Sequence, residues 1–158
     1  HGAKMGRIPG PPRAAGRDEA RIGVFFSRTR SIMDSTTNSL NWFEIPVTDI
    51  DRATKFYETV FDLKLERMEM MGMKMAMFPS TRGSAKANGA LAQSEMHKPS
   101  MEGCIIYLNT NPDLNAALGL VEKAGGRVLM PKTGIGGNGF MAFFADPEGN
   151  RIGLHSNG

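Results

Sequence analysis

Glu44 and His155 each stand in a short apolar stretch that alternates with strand period, and a carboxylate and an imidazole are the side chains best suited to move a proton or hold the polar end of a small molecule. Burial raises a carboxyl pKa, and a nearby imidazole lowers it again. Alternation puts Leu40, Trp42, Glu44 and Pro46 on one face of the first stretch, and Arg151, Gly153 and His155 on one face of the second. Plainer roles stand beside these: Glu44 as a solvated or Arg-paired residue, and His155 as a residue near a fraying end. Met68, Met70, Met71, Met73, Met75 and Met77 form a dense run in which Met71, Met73, Met75 and Met77 share one face at strand period. Flexible thioethers suit core packing, an adaptable apolar pocket or a dimer seam. The run Gly134-Ile135-Gly136-Gly137-Asn138-Gly139 lacks the Lys-Ser/Thr ending of a phosphate loop and leads into a strand, so it reads as a mobile rim loop. No Ser-His-Asp or Cys-His constellation is readable.

The elements that position these residues occur twice. Asp49-Ile50-Asp51-Arg52-Ala53 opens one helical pattern, and Asp113-Leu114-Asn115-Ala116-Ala117 opens another 64 residues later. In the first module we expect strands over 40–47, 63–70, 73–78 and 89–93. Thr48 caps the intervening helix with Asp51 at capping-box spacing, and Ile50, Ala53, Phe56, Tyr57, Val60 and Phe61 form its apolar face. In the second, strands are expected over 104–108, 127–130, 140–145 and 151–155, with a helix over 112–123 that Gly125-Gly126 ends. Asp146-Pro147-Glu148-Gly149-Asn150 reads as the turn before the closing strand. The fold class is therefore α+β, two tandem βαβββ modules over 38–98 and 99–158, preceded by an extension over 1–37.

Composition narrows the partners. Of the formal net charge of +3, residues 1–32 supply seven Lys or Arg against two acids, whereas 33–158 hold twelve against fourteen. The body lacks the basic stripe that nucleic acid demands, so nucleic acid is not an expected partner. The extension, rich in Gly, Pro and Arg, reads as tag-derived or upstream sequence, or as a transit peptide or basic arm. No apolar run approaches the ~18 residues of a membrane span, so no membrane partner is expected. Cys104 is the single cysteine, expected in a strand with its thiol in packing, which points to a reducing, cytoplasmic setting.

Trp42-Phe43-Glu44-Ile45-Pro46-Val47-Thr48-Asp49, Phe56-Tyr57, Ala124-Gly125-Gly126 and Phe143-Phe144-Ala145-Asp146-Pro147-Glu148-Gly149-Asn150 together resemble the vicinal oxygen chelate superfamily. Glyoxalase I, bleomycin resistance proteins and extradiol dioxygenases belong to it, and the resemblance covers about residues 38–157. It implies a cup-shaped mixed sheet, commonly completed by a homodimer, with a small organic ligand on the inner face. Metal-dependent members carry His or Gln on the first strand of each module and Glu on each closing strand. Carried over, those places fall on Trp42, on or next to Ile105, on Gly153 and within Met75-Ala76-Met77, none of which offers a suitable donor. The expectation is no metal cofactor, with Gly153 as vacated space.

With both strand faces inward, as the resemblance implies, Glu44 and His155 become the catalytic candidates. Trp42, Glu44, Met75, Met77, Tyr107, Arg151, Gly153 and His155 become the ligand contacts. Three readings stay open: a metal-independent small-molecule binder; a glyoxalase-like lyase or isomerase using Glu44 as acid and base, or a metal at shifted positions; and an accessory dimer whose cup is merely core.

Overall fold

The computed structural model describes residue 35 and residues 38–81 and 86–158; the extension, including the apolar stretch 22–26, otherwise lies outside the described residues. Strands β1 (Trp42–Pro46), β2 (Glu66–Met70), β3 (Met73–Met77) and β4 (Asn88–Gln93) form one sheet in the order β1-β4-β3-β2. Strands β5 (Tyr107–Asn109), β6 (Arg127–Gly134), β7 (Phe140–Ala145) and β8 (Arg151–Ser156) form a second in the order β5-β8-β7-β6. Helix α1 (Ile50–Phe61) follows β1, and α2 (Asn115–Val121) follows β5. In each sheet the first strand runs parallel to the last, β1 with β4 and β5 with β8, while the other pairings are antiparallel. The architecture is α+β, two four-stranded mixed sheets with few helices.

Apolar residues at helical spacing give α1 one buried face, and Ile50, Ala53, Phe56, Tyr57 and Val60 are all buried there. Against it lie Ile45, Ala76 and Leu91 of the first sheet, Val47 just past β1, and Leu108, Ala142, Phe144, Ile152 and Leu154 of the second sheet, in one continuous core. Phe56 meets Phe144 at 5.8 Å between ring centroids, so the helix of one module packs on the sheet of the other. Strand alternation then turns Trp42, Glu44, Pro46, Met75 and Met77 to the face away from the helices in the first sheet. Tyr107, Arg151, Gly153, His155, Met141 and Phe143 take that face in the second.

Several local expectations are corrected. Asp49, not Thr48, caps α1: its Oδ1 accepts from the amides of Asp51 and Arg52, both at 3.0 Å. Helix α2 is shorter than its apolar pattern, starting at Asn115, although Gly125 at φ 98° does supply the left-handed stop. Strand β6 runs on into the Gly-rich run, with Thr133 opposite Met141 and Gly134 opposite Phe140. The rest of that run is a 3-10 turn over Gly136–Asn138, tied by the Ile135 amide donating to the Gly139 carbonyl at 2.9 Å. Met71 stands in the β2–β3 turn at φ 53° and fully exposed, so Met68 and Met70, not Met71, accompany Met73, Met75 and Met77 on their face. Cys104 precedes β5 and is exposed.

Candidate functional site

The turn before β8 joins the two modules. Asp146 Oδ1 accepts from the amides of Glu148 (3.0 Å) and Asn150 (2.8 Å), while Oδ2 accepts from the Tyr57 hydroxyl (2.9 Å) and Asn150 Nδ2 (2.8 Å). Asn150 Nδ2 also donates to the Pro46 carbonyl at 2.7 Å, which ties β8 to β1. Glu148 Oε2 accepts from the Thr48 amide and hydroxyl, each at 2.7 Å, and from the Asp49 amide at 3.0 Å, and its Oε1 accepts from Arg52 Nε at 2.6 Å. Burial works against its charge, but Arg52, Thr48 and the amides hold the Glu148 carboxyl at about 2. Burial instead pushes Asp146 up, and it pushes the fully enclosed Tyr57 hydroxyl well up, with the Asp146 charge adding to the latter. These groups form a scaffold: their polar atoms face each other.

Held by that scaffold, Glu44 faces away from α1. Trp42 Nε1 donates to its Oε1 at 3.1 Å, and His97 Nε2 lies 2.7 Å from its Oε2. The hydrogen bond from His97, opposed by partial burial and helped by Trp42, holds the Glu44 carboxyl below its usual range. An ionised carboxylate only accepts, so Nε2 carries the proton, and in the neutral imidazole Nδ1 accepts from Ser94 Oγ at 2.7 Å. Ser94 Oγ in turn accepts from the Met96 amide at 3.2 Å. Ser94, His97 and Glu44 thus form a hydrogen-bonded relay, and His97 is the member that the sequence reading missed. The signal was the Ser94-Glu95-Met96-His97 spacing just past β4, which closes a turn through the His97 amide and the Ser94 carbonyl.

The catalytic pairing expected of Glu44 and His155 is not formed. His155 Nε2 instead donates to the Asn138 carbonyl at 2.8 Å, anchoring the Gly-rich turn that was expected to be mobile. Gly153 is likewise not vacated space. A Cβ there would fall 2.5 Å from the Tyr107 ring, which lies over it, packs at 5.6 Å from Phe143 and points its hydroxyl at Met141 Sδ. Met75 is buried and Met77 half-buried, whereas Trp42 and Tyr107 are among the exposed large apolar residues.

Glu44 and Arg151 do face a common space. They line a cavity of about 230 Å³ at the seam between the modules, with Pro46, Ile106, Cys104, Lys98, Ser100 and Glu102 among the other walls. Ser94 and His97 line a neighbouring cavity of about 410 Å³ with Lys74 and Gln93. The relay therefore links the walls of two cavities.

The fold puts the first module's closing strand at β4, so the place opposite Trp42 is Asn88 and that opposite Glu44 is Ala90, rather than Met75 to Met77. Asn88 Nδ2 donates to the Phe78 carbonyl, and Tyr107 and Gly153 occupy the corresponding pair in the second module. Trp42, Asn88, Tyr107 and Gly153 are a poor donor set for a divalent ion. Among the described residues no three His, Cys, Asp or Glu come together to hold one.

Comparison with known proteins follows the same outline. The Glyoxalase/Bleomycin resistance protein/Dioxygenase superfamily profile matches residues 39–154. A glyoxylase-like domain-containing protein of Didymella fabae is 31% identical over 115 residues, which are 70% of this chain and 88% of that one. The CFP32 proteins of Mycobacterium bovis and Mycobacterium tuberculosis, which carry a provisional glyoxylase name, are 31% identical over 117 residues; the match spans 72% of this chain but only 44% of their length. Glyoxalase I from Zea mays superposes with a TM-score of 0.56 at 22% identity, over 73% of this chain and 45% of that one. TnmS3, an antibiotic binding protein from a Streptomyces species, superposes at 0.52 with 22% identity, over 78% and 98%. With the profile covering most of the chain and paired β-α-β-β-β units in the fold, this protein belongs to the Glyoxalase/Bleomycin resistance protein/Dioxygenase superfamily.

Proposed function

We propose that this chain is a small-molecule-binding member of its superfamily that works without a metal. The observation that carries this reading is the seam cavity, where a preorganised carboxylate, two cations and apolar walls from both modules surround about 230 Å³. Pockets for drug-sized ligands run about 300–1,000 Å³, so the ligand is small or reaches beyond the cavity onto the neighbouring sheet face. Trp42, Met77 and Tyr107 are the side chains for that extension, with Arg151 and Glu44 orienting polar ends. TnmS3, an antibiotic binding protein, supports a binding role on this fold. A homodimer is part of the reading, supported by the exposed Trp42, Met68, Met70 and Tyr107 on the faces opposite the helices. A cytoplasmic setting is supported by the lone Cys104; no described helix is long and apolar enough to cross a membrane.

A second reading is favoured by the relay. Glu44, ionised and oriented by His97, is placed as an acid and base for a glyoxalase-like lyase or isomerase, and the glyoxylase names of the relatives support it. His155, spent on a backbone carbonyl, no longer contributes. Trp42 is the single tryptophan, so its fluorescence reports on the site. Titration with a panel of small aromatic and aliphatic compounds should give saturable quenching with a matching rise in melting temperature. A panel in which no compound moves either signal would leave the seam as packing and remove the reading.

A further inference from the structure

The seam cavity is lined by two cations, Lys98 and Arg151, and two carboxylates, Glu44 and Glu102, that form no ion pair with one another. Glu44 is committed to His97 and Trp42, and the Asn150 side chain to Pro46, Asp146 and the Ser100 amide. Lys98 and Arg151 have no ion-pair partner among the described residues, and Arg151 Nε is buried with no acceptor. The one carboxylate of the lining left over is Glu102, an exposed residue. A guanidinium that lines a cavity outside any ion pair is matched best by the two oxygens of a planar oxyanion. The cationic groups are contributed by β8 and by the segment joining β4 to β5, so an anion there would touch both modules.

We propose that the seam cavity takes the carboxylate of a small organic acid, with Arg151 as its principal partner and Lys98 at the rim. The inference rests on the binding function proposed above and names the class of its ligand. An uncharged compound of the same shape leaves Arg151 unpaired and binds more weakly. Inorganic phosphate shares the charge but lacks an organic body to meet Pro46, Ile106 and Ile152.

The test is Trp42 fluorescence and calorimetry on the full chain with benzoate, its uncharged analogue benzamide, and inorganic phosphate. Benzoate should bind saturably and about tenfold or more tighter than benzamide or phosphate. Arg151→Leu should remove most of that preference, Arg151→Lys part of it, and Lys98→Ala, at an exposed position, a smaller share. The wild-type benzoate and benzamide comparison needs no variant, so a folding failure of Arg151→Leu does not spare the proposal. Benzamide equal to benzoate, or phosphate alone, would overturn the carboxylate assignment while leaving the binding function standing. No binding by any of the three, with saturation by other neutral compounds of the panel, would do the same. Silence of every compound would overturn both.

Discussion

The two sheet faces turned away from the helices are built from the same strand plan and differ in chemistry. On the first, Glu44 points outward into a relay with His97 and Ser94, on the face that also carries Met75 and Met77. On the second, Tyr107, Phe143 and Met141 make an apolar cover whose hydroxyl is aimed at a thioether. Each module also lays an aromatic of its first strand over a glycine of its closing strand, but on opposite sides. Phe43 over Gly89 packs toward the core, and Tyr107 over Gly153 away from it. The two modules therefore share a strand plan while the hydrogen-bonded relay belongs to the first, and the seam between them is lined by an oriented carboxylate and an unpaired guanidinium.

The largest effect is expected from breaking what holds the two faces together. Asp146→Ala strips the partner from the buried Tyr57 hydroxyl and the Asn150 side chain, and urea denaturation should record a loss of about 3 kcal/mol or more. The loss should come as a single transition, since both sheets share one core.

Sharper is a contrast between the glycines. Gly153→Ala and Gly89→Ala should each cost roughly 1–3 kcal/mol by overpacking. A Cβ at 153 meets only the Tyr107 side chain among its nearest atoms, so Tyr107→Ala should restore much of that loss in a double-mutant cycle. A Cβ at 89 meets the Phe43 backbone carbonyl as well as its ring, so Phe43→Ala should not restore it. Equal rescue at both sites would erase the distinction drawn between the modules.

Acid titration divides the two carboxylates of the scaffold. Glu148, at about 2 in the folded state against an ordinary 4.5, contributes stability that is complete above pH 4.5 and is lost as pH falls toward about 2. Glu44, also held low, contributes in the same direction. Asp146, held high, works oppositely, its contribution weakening as pH rises through its folded value. Glu148→Gln should flatten the acid limb of the stability curve measured by urea midpoints. The smallest effect belongs to Glu44→Gln, about 1 kcal/mol or less for a partly exposed pair, with changed Trp42 emission as its hydrogen-bond acceptor is replaced.

Much of this was legible in the chain. The continuous apolar run from Phe140 to Ala145 and the alternation in Arg151 to His155 located β7 and β8, helical spacing from Ile50 to Phe61 located α1, and the DPEGN run marked its turn. What escaped depends on contacts across long separations. Glu148 lies 100 residues from Thr48, so nothing local says that it takes the hydroxyl and amide expected to serve α1. His97 is 53 residues from Glu44, in what reads as a linker. The vacancy expected at Gly153 did not reckon with the Tyr107 ring, because the residue opposite Gly153 is Tyr107 rather than one on or next to Ile105, a pairing that only the assembled sheet fixes.

The central claim is that the ligand site works without a metal. It is tested most directly by elemental analysis of the purified chain before and after incubation with Ni, Zn, Mn, Co or Fe, followed by a melting curve for each. The account predicts no stoichiometric uptake and no rise in melting temperature; one tightly held ion per chain with a raised melting point would contradict it.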